Sequence, residues 1–172
     1  MPAEMSQILS GRLTALAEAN TLVRRTFSDE AVAERVDLAE IAEKIMSPHS
    51  ASPTKRKRFV AGGPRVLLGE RATNGLALVL HELATNAAKY GALKSEEGVI
   101  ELSWQTNGEQ LAINWSERGG PPIARPPDAT GFGTRLSQST IVGQFGGDLT
   151  YDWRRDGLAV KISVPLEKLQ QG

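Results

Sequence analysis

The sequence predicts an α+β domain with an antiparallel sheet on one side and helices on the other. Three observations predict it. Apolar residues recur at helical spacing through much of the first half. After Gly91 they alternate with polar residues, as half-buried strands do. Turn signals separate the alternating runs in pairs, which is the pattern of hairpins. A length of 172 residues suits one domain with a helical appendage.

Met5 to Arg25 reads as an amphipathic helix, with Ile8, Leu9, Leu13, Leu16, Ala17, Leu22 and Val23 near helical spacing. Its apolar stripe calls for a partner, either the main body or a second copy. "VDLAEIAEKIMSPHS" reads as a second helix, with Asp37 as N-cap and a stop before Pro48. "RKRFVAGGPRVLLG" holds two short strands around a Gly-Gly-Pro turn. A long helix follows from about Arg71 to Tyr90. "VIELSWQT" and "QLAINWSE" flank the turn "NGE" and form a hairpin. "RGGPPIARPPDATGFG" is a Gly/Pro loop of unusual length for a compact domain. "TRLSQSTIVGQF" reads as a short helix, and "GDLTYDW" and "LAVKISVP" as a closing hairpin joined by "RRDG". No internal repeat or low-complexity tail interrupts this order.

Composition narrows the function classes. Hydrophobic residues make up 40% and charged residues 23%, ordinary for a globular domain. A net charge of +0 gives no reason to expect nucleic-acid or membrane-surface partners. With 0 cysteines, disulfides, thiolate metal sites and thiol nucleophiles are excluded. No apolar run approaches the roughly 18 residues of a membrane helix. "MPAEMSQILSGRL" lacks the pattern of a signal peptide. The expectation is a soluble cytoplasmic protein, or a soluble piece of a larger one. Most of the 17 glycines lie after Gly91, which places functional loops in the second half.

The long helix carries the most chemistry. With Leu83 at the centre of a face, Leu76, Val79, Leu80, Ala87 and Tyr90 fall within roughly 60° and form the predicted buried stripe. Glu82, Asn86 and Lys89 form a row on one flank, and His81 lies further round. Glu82 and Asn86 are i,i+4 and Asn86 and Lys89 are i,i+3, so one ligand can meet all three. Carboxylate and amide oxygens suit magnesium, which takes one or two protein groups and completes its shell with substrate phosphates. An ammonium one turn on suits phosphate, and the set points to a nucleoside triphosphate. A solvated Glu/Lys flank is the plainer account of the same spacing. Asn86 counts against it, being a mediocre helix former that offers nothing to a core.

Two glycine clusters lie downstream. "WSERGGPP" ends a strand on the carboxylate of Glu117 and turns at Gly119 and Gly120. "GFGTRL" sets Gly131 and Gly133 before a helix, where phosphate could approach backbone N–H groups. No Gly-Lys-Ser/Thr follows, so this is no Walker A loop, and no βαβ unit surrounds it, so it is no Rossmann fingerprint. A turn and a surface charge remain the simpler readings of each cluster taken alone.

The order of the three motifs resembles the GHKL ATPase superfamily, and within it the catalytic domain of bacterial sensor histidine kinases of the HWE type. "HELATNAAKYGAL" resembles that family's N-box, "NWSERGGPP" supplies Trp115 and Glu117, and "GFGTRL" is similar to its glycine box. "FGGDLTYDW" with "DGLAVKISVP" resembles its closing hairpin. The resemblance covers about Arg58 to Leu166, and more weakly "SGRLTALAEANTLV". It implies a Bergerat ATP-binding fold: a two-layer α/β sandwich, with a mixed, mostly antiparallel sheet packed against helices. The catalytic ATP-binding domain would span residues 28–170. Residues 1–27 would be a remnant of the helical dimerization and phosphoacceptor region.

The same resemblance implies ATP and Mg²⁺ as cofactors. Asn86 would coordinate Mg²⁺, with Glu82 assisting through metal-bound water or as general base. Lys89 would contact phosphate, and Glu117 would accept from the adenine amino group. Gly119, Gly131 and Gly133 would shape the lid, and the nucleotide-binding set also takes in Tyr90, Phe132 and Thr134. His81 stands between a structural role and orienting Glu82 or the substrate. Implied partners are a response regulator, a phosphoacceptor helix of the same or a partner chain, and a second copy through the N-terminal helix.

The family's phosphoacceptor histidine precedes the "SGRL" segment. Of the 2 histidines here, His49 in "SPHSASP" matches no acceptor motif and His81 belongs to the N-box. The chain is therefore expected to lack the acceptor. Two rival readings are an adaptor or phosphotransfer protein without ATP binding, and another ATPase of the same fold, such as an anti-sigma serine kinase or a chaperone-type ATPase.

Overall fold

A computed structural model describes residues 35–49, 57–124 and 131–170. The expected helix from Met5 to Arg25 and the N-terminal unit lie outside the described residues.

Strand β1 (Val36–Asp37) leads into helix α1 (Leu38–Met46). Asp37 caps α1 as the sequence predicts: its carboxylate accepts from Ala39 N–H at 3.3 Å. A 3-10 turn, Ser47–His49, ends the element at the proline. Strands β2 (Phe59–Gly62) and β3 (Leu67–Leu68) flank the Gly-Gly-Pro turn. They join different sheets: β3 pairs antiparallel with β1, and β2 enters the main sheet.

Helix α2 (Glu70–Lys89) is the long helix of the sequence reading. After a 3-10 turn, Ala92–Lys94, strands β4 (Val99–Asn107) and β5 (Gln110–Arg118) form the first hairpin. Gly108 takes φ 59° in its tight turn. Helix α3 (Phe132–Gln138) runs on into a π-helical turn, Ser139–Gln144, where the sequence predicts one short helix. Strands β6 (Asp148–Arg154) and β7 (Gly157–Pro165) make the closing hairpin. A short helix α4 (Leu166–Gln170), absent from the sequence reading, ends the described chain; its Leu169 carbonyl accepts from Gly69 N–H at 2.7 Å, just before α2.

The main sheet has the order β2-β4-β5-β7-β6. Only the β2–β4 pair is parallel, so the sheet is mixed and mostly antiparallel. Alternation buries one face: Ile100, Leu102 and Trp104 on β4, Leu111, Ile113 and Trp115 on β5, and Leu158, Val160, Ile162 and Val164 on β7. These join Leu38, Ile41, Ile45, Leu76, Val79, Leu80 and Leu83 of the helices in one core. The architecture is the expected two-layer α+β sandwich. No helix among the described residues is long and apolar enough to cross a membrane.

Candidate functional site

Helix α2 places its polar residues along a gradient of burial. Leu76, Val79, Leu80, Leu83 and Ala87 are buried, as the periodicity predicts. Tyr90 departs from that stripe and is 73% exposed. The helix stops at Lys89, and Tyr90 takes φ -130°, so an angle extrapolated at 100° per residue no longer applies to it. Glu82 departs in the other direction. The sequence places it beside the core, yet it is buried, 5% exposed. Asn86 one turn later is half-buried and Lys89 is exposed, so the row climbs from the interior to solvent. His81 is half-buried. Burial first, then the neighbouring His81 imidazole, holds the His49 imidazole below the ordinary histidine value.

Glu117 sits at the last inward position of β5, two residues after Trp115. Strand alternation therefore points both side chains at the helix layer. Glu117 is 4% exposed, and both of its oxygens are held. Oε1 accepts from the Ala92 N–H at 3.0 Å, and Oε2 accepts from the Trp115 indole N–H at 2.9 Å. Burial pushes this carboxyl above the ordinary glutamate value, and the Trp115 and Ala92 donors pull partly against it. Each oxygen keeps a second lone pair for a further donor.

Close backbone approach makes this corner. A Cβ on Gly91 would overlap Glu117 Oε1 and would lie 3.1 Å from Ala87 Cα. Gly119 takes φ 78°, where glycine is favoured, and a Cβ there would lie 2.7 Å from the Glu97 carbonyl oxygen. The strand end, the turn after α2 and the Gly-Gly turn thus meet around one carboxylate.

The start of α3 forms another part of the candidate site. Gly131 is its N-cap, extended and without a side-chain cap. Gly133 is buried, Thr134 half-buried and Phe132 exposed. The Tyr151 hydroxyl on β6 faces the side chains of Thr134 and Ser137, with the charge of Glu82 nearby. Burial first, then Glu82, raises the Tyr151 phenol above its ordinary value, against the lowering effect of Thr134 and Ser137.

Tyr151 thus lies among Glu82 of α2 and Thr134 and Ser137 of the glycine-box helix. The structure likewise joins Glu117 to the turn that follows α2. Sequence reasoning missed Tyr151, Ala92 and Gly91 as site residues. Gly91 carries a readable signal as a glycine just past a helix. Ala92 acts through its backbone and carries none.

No family model matches the chain. Among curated proteins, it is 35% identical over 171 residues to blue-light-activated histidine kinase 1 of Erythrobacter litoralis, covering 96% of this chain and 45% of that protein. It is 33% identical over 170 residues to the blue-light-activated histidine kinase of Brucella anthropi, covering 96% of this chain and 33% of that protein. The chain thus spans less than half the length of these relatives. Among solved structures, it resembles the histidine kinase domain of a blue-light-activated histidine kinase from Erythrobacter litoralis, with TM-score 0.68 and 21% identity over 91% of this chain and 76% of that one. The catalytic domain of the histidine kinase ThkA gives TM-score 0.56 and 18% identity over 76% of this chain and 94% of that one. These structures share its fold.

Proposed function

We propose, for a chain that belongs to the catalytic ATP-binding domains of HWE-type histidine kinases, that it binds Mg-ATP and passes the γ-phosphoryl group to a protein histidine in two-component signalling. The observation that carries this reading is Glu117: a buried carboxylate, fixed by two N–H donors at a glycine-walled corner, with acceptor capacity left over. Such a group suits an exocyclic amino group on a flat ring, as adenine offers. A carboxylate buried only for packing would be a net cost.

The remaining residues fit the rest of the nucleotide. Asn86 and Glu82, one turn apart on α2, are the oxygen donors for magnesium. Among the described residues no group of three or more His, Cys, Asp or Glu could hold a metal alone. This donor set therefore suits an ion that arrives with phosphates. Lys89 offers an exposed ammonium to those phosphates, and the glycine box at the start of α3 lets their oxygens come close to backbone. Bound Mg-ATP supplies the phosphoryl group and neutralises its charge. The protein's part is positioning: Glu117 fixes the base, α2 the metal end, and the 131–134 segment covers the phosphates. The acceptor would be a histidine other than His49 and His81, and the partners a phosphoacceptor helix and a response regulator.

Calorimetry with Mg-ATP tests the reading. The chain is expected to bind, and Asn86→Ala to lose at least about tenfold in affinity while keeping its circular-dichroism spectrum and unfolding temperature. Absence of binding at millimolar Mg-ATP would sink the nucleotide assignment. Unchanged affinity in the variant would remove the metal assignment alone. Labelled product formed on an acceptor helix should be acid-labile, as phosphohistidine is.

A further inference from the structure

Arg58 lies just before β2, at the start of the stretch the resemblance covers but outside its three nucleotide-site motifs. Its own carbonyl accepts from Ile100 N–H at 2.9 Å, at the edge of the parallel pairing. Its half-buried side chain turns to the segment between α2 and β4. Nη2 donates to the Leu93 carbonyl at 3.0 Å and to the Ser95 carbonyl, and Nε donates to the Gly98 carbonyl at 3.4 Å. One guanidinium therefore gathers three carbonyls of the stretch that begins at Gly91.

That stretch is the wall of the Glu117 corner. Its Ala92 N–H holds Oε1, a Cβ on Gly91 would overlap the same oxygen, and a Cβ on Gly119 would meet the backbone of Glu97 and Gly98. We propose that Arg58 is a positioning residue for base recognition: it holds the 91–98 segment so that Ala92 keeps Glu117 aimed at the exocyclic amino group of adenine. This rests on the reading of Glu117 as the base-binding carboxylate.

Arginine suits the task because its rigid fork presents several donors at once and stays charged. Lysine carries its three donors on one nitrogen, so it cannot place one where Nε faces the Gly98 carbonyl while others sit where Nη2 faces Leu93 and Ser95. Without the guanidinium, the Leu93 and Gly98 carbonyls lose this donor, while the Ser95 carbonyl keeps the Gly98 N–H at 3.1 Å, and the segment must turn the first two to water. Ala92 would move with it. Glu117 would keep Trp115 and lose its second anchor.

The test compares the unsubstituted chain with Arg58→Met and Arg58→Lys, by calorimetry with Mg-ATP and with Mg-inosine triphosphate, whose base carries a carbonyl in place of the amino group. The unsubstituted chain is expected to prefer ATP. Arg58→Met should lose about tenfold in ATP affinity and little in inosine triphosphate affinity, so that the preference collapses. Arg58→Lys should fall between. The acid limb of ATP binding should move to higher pH in Arg58→Met, because the Ala92 donor no longer supports the ionised carboxylate. A merely structural role would weaken both nucleotides alike and leave that limb in place, and this result would overturn the inference. If Arg58→Met does not fold, Arg58→Lys decides: an unchanged ATP preference and acid limb overturn it. If the unsubstituted chain binds neither nucleotide, the reading of Glu117 falls and takes this inference with it. Selective binding that neither variant alters defeats Arg58 alone.

Discussion

Glu117 must be ionised to serve as a pure acceptor, yet it sits where burial favours the neutral acid. The two demands give opposite pH trends. Between the ordinary glutamate value and the raised one, the folded chain holds this proton and the unfolded chain does not. The contribution of Glu117 to stability is therefore full below that window and is lost as pH rises through it. Adenine recognition gains over the same rise. We expect ATP affinity to fall on mild acidification while the fold is relieved of a buried charge, as pH-resolved calorimetry and thermal unfolding would read. Glu117→Gln should flatten the acid limb of binding, and a flat limb in the unsubstituted chain would argue against the assigned role. The residue itself is legible in the sequence, as a carboxylate at a strand end after an inward Trp. Its anchoring is not, because Ala92 lies 25 positions away and contributes only its backbone.

At the scale of elements, α2 shows what periodicity can and cannot say. It fixes the angle of each side chain about an axis, which is why Leu76, Val79, Leu80, Leu83 and Ala87 were readable as core. It does not say what lies over a given angle. Tyr151 of β6 and the glycine-box helix approach the flank of Glu82, so that a position outside the apolar stripe is buried all the same. Arg58 is the harder case: the partners of its side chain lie 35 to 40 residues away, and no local pattern marks it. The turn after α2 gives a sharp check on this reading. Gly91 has φ -115°, outside the left-handed region, so the close contacts of an added methyl dominate a Gly91→Ala change. The added methyl would meet Glu117 Oε1 and the α2 backbone. We expect a loss of about 1–3 kcal/mol in stability, measured by denaturant unfolding, together with loss of ATP binding. A variant with unaltered stability and binding would show that the corner is not closed as described.

At the scale of the whole molecule, the two layers and the closing hairpins were legible because alternation and turn chemistry are local. The strand order was not, because the β2–β4 pairing depends on a crossover through β3 and α2. That crossover has a kinetic side. Hairpin strands β4, β5, β6 and β7 can zip from their turns, whereas the parallel edge must wait for a long loop to close. The strand that follows Arg58 is thus suited to dock last and to detach first. Edge detachment would open the corner around Glu117 without unfolding the hairpins. Native-state amide exchange should therefore find the Ile100 N–H, which pairs with the Arg58 carbonyl, faster than the inner amides of β5. Saturating Mg-ATP should slow Ile100 more than it slows β6. Uniform protection across the sheet would mean that the edge and the hairpins open as one. With the expected gradient, nucleotide occupancy becomes a latch on a strand outside the proposed nucleotide site.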